Sequence, residues 1–153
     1  MSGNKRPLSV LVLVHTGAGQ ILLLERQQHP DFWQSVTGSL EPGEGHAAAA
    51  VRELEEETGL RVDAALLLDT RIENRFEILP LWRDRYPEGV THNSERVFEC
   101  ELTAACAIRI APDEHRASIW LPWRQAAAKV FSWTNRDAIQ RLAIRRGWAA
   151  EPS

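Results

Sequence analysis

Two short apolar runs, Leu8 to Val14 and Ile21 to Leu24, flank the turn Thr16-Gly17-Ala18-Gly19. Their length, their leucine and β-branched content and the glycines between them predict a strand pair over Leu8–Val14 and Gln20–Arg26. From Gln27 to Glu44 the periodicity breaks, and Pro30, Gly38, Pro42 and Gly43 predict a loop with a short strand near Trp33–Val36. From His46 the period changes: Ala47, Ala50, Val51 and Leu54 fall at helical spacing up to Thr58, and Gly59 follows as a terminator. Strand-like segments follow at Ala65–Leu81, Arg96–Leu102 and Ala117–Leu121, with the polar, turn-rich stretch Arg83 to Asn93 between the first two. Helices are predicted over Pro122–Val130, with its proline in the first turn, and over Asn135–Arg146, stopped by Gly147. Strands broken by one helix and closed by two more predict an α/β fold, a mixed sheet with helices on its faces, formed by residues 1–153 as one domain.

Composition narrows the class. With 153 residues, 44% hydrophobic and 25% charged, the chain excludes disordered, collagen-like and disulfide-scaffold proteins. A net charge of −3 gives no general attraction for nucleic acid or an anionic membrane, and the tryptophans are scattered without a basic stripe, as core and pocket residues are. Cys100 and Cys106 fit no zinc or redox spacing and are expected as reduced, packed thiols. Lys5-Arg6 ahead of an apolar run imitates a secretory signal. The run is short, a proline precedes it and a second run follows at once, so the strand pair is the better reading and the cytoplasm the default location. No apolar stretch is long enough to cross a membrane. Nothing in the pattern specifies an oligomeric state.

The chemistry is concentrated in Arg52-Glu53-Leu54-Glu55-Glu56-Glu57. On a helix Glu53, Glu56 and Glu57 share a face, where like charges at these spacings cost about 0.2–0.5 kcal/mol per pair. They also lie toward the C-terminal end, where the helix dipole disfavours anions. A solvated acidic face is the common explanation of such a run, but Leu54 interrupts it as a core residue would and a glycine-rich loop leads into it. Convergent carboxylates suit a hard divalent cation that bridges to phosphate oxygens; the alternating Asp/Asn loop of a calcium-binding EF-hand is absent.

Gly38, Glu44, Arg52-Glu53-Leu54-Glu55-Glu56-Glu57 and Gly59-Leu60 resemble the Nudix box at every specified position, a coincidence on the order of 10⁻⁹ per starting point by chance. The resemblance implies the Nudix α/β/α sandwich and hydrolysis of a diphosphate linked to another moiety, with Mg²⁺ or Mn²⁺ as cofactor. It implies Glu53 and Glu57 as metal ligands and Glu56 as a further ligand or the base that activates water. Arg52 would orient a glutamate and Glu44 would accept a bond from it. Gly38 and Gly43 would allow tight turns. Many members use a later loop carboxylate as ligand or base, and Glu114 in Pro112-Asp113-Glu114-His115 is the candidate. Thr37 stands where many members carry a second glycine and would offer its hydroxyl to the ligand.

Stretches outside the box resemble one branch of the family, the enzymes that act on dihydroneopterin triphosphate: Lys5-Arg6-Pro7, Asp31 to Ser39, Phe76-Glu77-Ile78, Arg85-Tyr86-Pro87 and Ser132-Trp133 with Asn135-Arg136. A small-molecule triphosphate is the implied partner. Lys5 and Arg26 would meet its phosphates. Phe76 or Trp133 would stack on a flat pterin, with Ile78 and Leu79 beside them, Glu77 would accept from its amino-pyrimidinone edge, and Ser132 would bond a phosphate or the polyol. Guanine displays the same donor pair, so guanine triphosphates, oxidised ones included, remain the alternative substrates. A non-catalytic ligand-sensing module is the third reading, although such modules usually lack box glutamates that are all present here.

Overall fold

Residues 3–149 are described by a computed structural model. β1 (Leu8–Thr16) is apolar on both faces because both are covered. Its alternation separates two cores. Val10, Val12 and Val14 pack with Leu22 and Leu24 of β2 (Gln20–Arg26) against Ala49, Ala50 and Leu54 of α1 (His46–Thr58). Leu11 and Leu13 pack with Ile21 and Leu23 against Ala126, Ile139 and Leu142, which belong to α2 (Trp123–Lys129) and α3 (Trp133–Arg145). The result is the expected sandwich, helix layers on either side of one sheet.

The sheet has seven strands and is mixed. β1 runs parallel to β6 (His92–Leu102), which is antiparallel to β5 (Leu67–Glu77). On its other side β1 pairs with β4 (Val36–Ser39) and, at its far end, with β2. β2 in turn carries β3 (Trp33–Gln34) and β7 (His115–Pro122). β3 and β4 are therefore one bent strand, shared between β2 and β1, and that bend places Thr37 and Gly38 beside α1.

β2 and α1 have the bounds expected from sequence. β5 does not: it ends at Glu77, and Pro80 opens a 3₁₀ turn, Pro80–Arg85, where the apolar Ile78, Leu79 and Leu81 imitated a longer strand. β5 also carries a bulge between Asp69 and Glu73; Arg71 has φ 62° there, and its N–H donates to Asp69 Oδ1 at 2.8 Å. The segment expected as a polar excursion begins with that 3₁₀ turn and is tied to the N-terminal chain, Lys5 N–H donating to the Arg85 carbonyl at 3.0 Å. Both cysteines are free; Cys100 is buried under α1, but Cys106 is exposed, which corrects the expectation that both are packed. Among the described residues no helix is long and apolar enough to cross a membrane.

Candidate active site

On α1 the buried arc runs from Ala49 through Glu53, Glu57 and Ala50 to Leu54. Measured from Glu53, Glu57 is turned about 40° into this arc and Glu56 about 60° away from it. The structure therefore brings two of the three expected carboxylates into the cleft. Glu56 is 54% exposed and accepts from Arg52 Nη1 at 3.3 Å, the same guanidinium nitrogen that holds Glu53.

Glu53 reaches its place because Gly38 has no side chain. A Cβ on Gly38 would lie 2.1 Å from the Glu53 carboxyl carbon. Gly38 thus provides space on an extended strand, not the turn expected of it; the turn belongs to Gly43, at φ 76°. Arg52 then fixes the acids. Its Nε and Nη2 form a fork on Glu44, both at 2.8 Å, Nη1 donates to Glu53 Oε1 at 2.8 Å, and Nη2 also reaches the Ser39 carbonyl at 3.0 Å. This bonding lowers the Glu44 pKa and raises that of Arg52, so the pair stays charged.

Glu57 is 1% exposed, and neither carboxylate oxygen has a hydrogen-bond partner. Burial, then the neighbouring Glu53 and Glu114, push its pKa well above the ordinary carboxyl value. Glu57, Glu114 and His115 each offer a ligand atom, all within 4.8 Å of one another. Glu114 is exposed at the cleft mouth, and His115 is buried with Nε2 3.5 Å from Glu57 Oε1. Burial holds the His115 pKa down to about 4, so it is neutral at physiological pH. A buried carboxylate without donors is costly unless a cation completes it. Two orphaned oxygens with Glu53 and Glu114 alongside are the hard donor set that a divalent ion such as Mg²⁺ or Mn²⁺ takes. His115 had no distinguishing sequence signal beyond its place next to Glu114.

This acidic cleft, about 420 Å³, opens into a second, mostly apolar compartment of about 650 Å³. Lys5, Arg26, Arg85, Gln34, Thr37 and Gly38 line both and form the seam between them. Lys5 and Arg26 both lie in this seam; burial, then Arg85, lowers both their pKa values, as expected of half-buried cations crowded together. Arg85 was not singled out as a site residue. It arrives on the 3₁₀ turn, whose position only the tertiary fold determines. Thr37 Oγ1 accepts from Gln34 Nε2 at 3.1 Å.

Phe76, Glu77, Ile78, Leu79 and Ser132 all reach the apolar compartment. Two of them are bonded within the chain. Glu77 is 68% exposed and paired with Arg83 through Oε1. Ser132 caps α3, its Oγ accepting from Asn135 N–H at 3.2 Å. The aromatic wall is also richer than Phe76 and Trp133: Phe32 stacks on Phe131 at 4.8 Å, Trp82 stands edge-on to both, and Arg26 lies over Trp82 at 4.5 Å. Three distant segments supply these rings. Asn135 locks the floor in place, accepting from Ser35 N–H at 2.7 Å and donating to Ser35 Oγ at 2.9 Å.

Buried carboxylates facing a seam of cations, on a helix docked to a mixed sheet, define a hydrolase for phosphate-bearing substrates. The NUDIX domain model matches residues 5–142, and the chain belongs to the NUDIX family. It is 43% identical over 143 residues to dihydroneopterin triphosphate diphosphatase of Escherichia coli strain K12, covering 92% of this chain and 94% of that one. Its identity to the enzyme of the same name from Haemophilus influenzae is 36% over 144 residues, 92% and 90% of the two chains. The solved structure of the E. coli dihydroneopterin triphosphate pyrophosphohydrolase superposes with a TM-score of 0.87 at 41% identity, over 94% of this chain and 99% of that one.

Proposed function

We infer that this NUDIX hydrolase cleaves dihydroneopterin triphosphate to dihydroneopterin monophosphate and pyrophosphate, a reaction of folate biosynthesis. The observation that carries the reading is the two-compartment cavity with its cationic seam, which matches a flat heterocycle on one side and a polyphosphate on the other; the similarity to the E. coli and H. influenzae enzymes supplies the heterocycle.

In this account the pterin lies against Phe32, Phe131, Trp82 and Phe76, and Lys5, Arg26 and Arg85 draw the triphosphate across the seam. Glu53 and Glu57 would hold a divalent cation, Mg²⁺ in the simplest case, and Glu114 faces it from the mouth of the cleft. When bound, it supplies neutralisation of the charge that builds on the phosphate oxygens. Arg52 keeps Glu53 aimed and Glu44 keeps Arg52 ionised and oriented. Glu114, the acid of the cluster open to solvent, takes the proton of the attacking water. Glu56 acts only through Arg52.

The substrate test is a comparison, with Mg²⁺ present, of dihydroneopterin triphosphate, GTP and 8-oxo-GTP, with products identified. The expected result is pyrophosphate release and at least about tenfold higher kcat/KM for the pterin. A guanine triphosphate preferred over it overturns the assignment. The base is tested separately. Glu114→Gln is expected to lower kcat by about 10²–10⁴-fold while the metal concentration for half-maximal activity shifts little; a large shift in that concentration with kcat recovered at saturating metal makes Glu114 a ligand alone.

A further inference from the structure

On the apolar compartment's floor, where β5, β6 and β1 lie side by side, stands a carboxylate that the hydrolytic machinery does not use. Glu95 is 5% exposed, lines the compartment, and has an Oε1 without any hydrogen-bond partner. It lies on the same face of β6 as Asn93, whose Oδ1 is also buried and unpartnered. The Asn93 amide is oriented by its Nδ2, which donates to Ser9 Oγ at 2.7 Å, so its oxygen is the end left over. Asn74 stands opposite Glu95 in the β5–β6 pairing, yet its Nδ2 and Glu95 Oε1 are both without a partner. The floor therefore presents two buried acceptors, one of them a carboxylate, in a compartment whose other walls carry Phe32, Phe76, Phe131 and Trp82 and whose cations stand at the seam.

Such a floor costs stability when empty, because a buried acceptor without a donor loses its water and gains nothing. A ligand that brings donors restores the balance. Burial raises the Glu95 pKa to about 7, and only the Thr134 side chain beside it acts to lower it. N–H donors from a ligand favour the ionised form in the same way.

We propose that Glu95, assisted by Asn93, is the residue that reads the heterocycle: its carboxylate accepts from the exocyclic amine and the adjacent ring N–H of a 2-amino-4-oxopyrimidine ring. The proposal rests on the function inferred above and deepens it. It also explains orientation. A carboxylate at this end repels a triphosphate, while Lys5, Arg26 and Arg85 attract it at the seam, so the substrate enters in one direction only. Adenine, which offers a ring nitrogen acceptor beside its amine, meets acceptor with acceptor. Guanine carries the same edge as a pterin, so Glu95 selects the pair of them and other walls of the compartment separate them.

The test compares wild type with Glu95→Gln on dihydroneopterin triphosphate and ATP. Glutamine keeps the shape but turns one acceptor into a donor facing the ligand's donors. The expected result is a KM for dihydroneopterin triphosphate raised by about 10–100-fold with kcat within a few-fold, and a kcat/KM ratio over ATP that falls by the same factor. An unchanged KM and ratio in a variant with a cooperative melting curve overturns the proposal. A wild type that shows no preference for dihydroneopterin triphosphate overturns the function beneath it, a different result. If the variant does not fold, wild type alone decides. Neopterin should inhibit about 10–100-fold more strongly than its analogue with oxygen in place of the 2-amino group, and equal inhibition by the two overturns the proposal.

Discussion

Glu57→Gln is expected to lower kcat by at least about 10³-fold, the loss typical of removing a central electrostatic contact in phosphoryl chemistry, while making the metal-free protein more stable. The two effects have one cause. Glu57 is buried with both oxygens unpartnered, so its charge is a liability to the fold and useful only to a ligand. Its folded pKa lies above the ordinary value of 4.5. A carboxyl with a raised folded pKa stabilises fully below its unfolded pKa and loses that contribution as pH rises through the folded one. The melting temperature of Glu57→Gln should therefore exceed that of wild type by a margin that opens as pH rises above the ordinary carboxyl range in EDTA, and Mg²⁺ should narrow the gap by stabilising wild type alone. Glu56→Gln, altering an exposed side chain outside the cleft, should retain more activity than Glu57→Gln at every pH.

Gly38→Ala should be nearly as damaging to catalysis, for a steric reason. The added methyl group would occupy the Glu53 carboxyl, at 2.1 Å from its carbon and 2.2 Å from Oε1. Either Glu53 leaves its bond to Arg52 or β4 moves off α1, and a displacement of about 1 Å at a reacting centre costs on the order of 10²-fold. Overpacking of this kind also costs about 1–3 kcal/mol of stability. Gly45→Ala is the control: Gly45 has φ −84° at the helix N-cap and open space around its Cβ position, so activity should be unchanged. Steady-state kinetics and melting curves on the two alanine variants separate the steric account from a general intolerance of the loop.

The sequence is most legible where periodicity and chemistry agree. β1 and β2 read as strands because their apolar runs are too short for a spanning helix and their neighbours are turn residues, and the structure shows why the runs are continuous: helices cover both faces. α1 was readable to its ends because Gly59 takes the left-handed conformation, φ 78°, that stops it. Residues 78–82 were not, since Ile78, Leu79 and Trp82 line the cavity and do not continue the strand.

The acidic half of the site was legible for the same reason as α1. A run of like charges that opposes the helix dipole needs a counter-ion, and helix geometry assigns most of its residues. It is least decisive at Glu56, which sits at the edge of the buried arc where a turn of about 60° decides between cleft and solvent. The heterocycle compartment was only half legible. Phe32, Trp82 and Phe131 come from three separate segments, and nothing local marks them as one wall. Asn93 closes what reads as a polar loop, and Glu95 falls just ahead of the strand expected from Arg96, whereas β6 begins at His92. That their side is the buried one depends on β6 lying next to β1, with Ser9 facing Glu95 in register.

The claim beneath all of this is that α1 keeps buried charge in order to hold a divalent cation. Titration of Mn²⁺ into the protein, followed by the electron paramagnetic resonance signal of the free ion, measures that directly. The account predicts that wild type removes Mn²⁺ from solution in stoichiometric proportion and that Glu57→Gln, folded by its melting curve, leaves it free. Equal binding by the two proteins, or none by wild type even with pyrophosphate present, would contradict it.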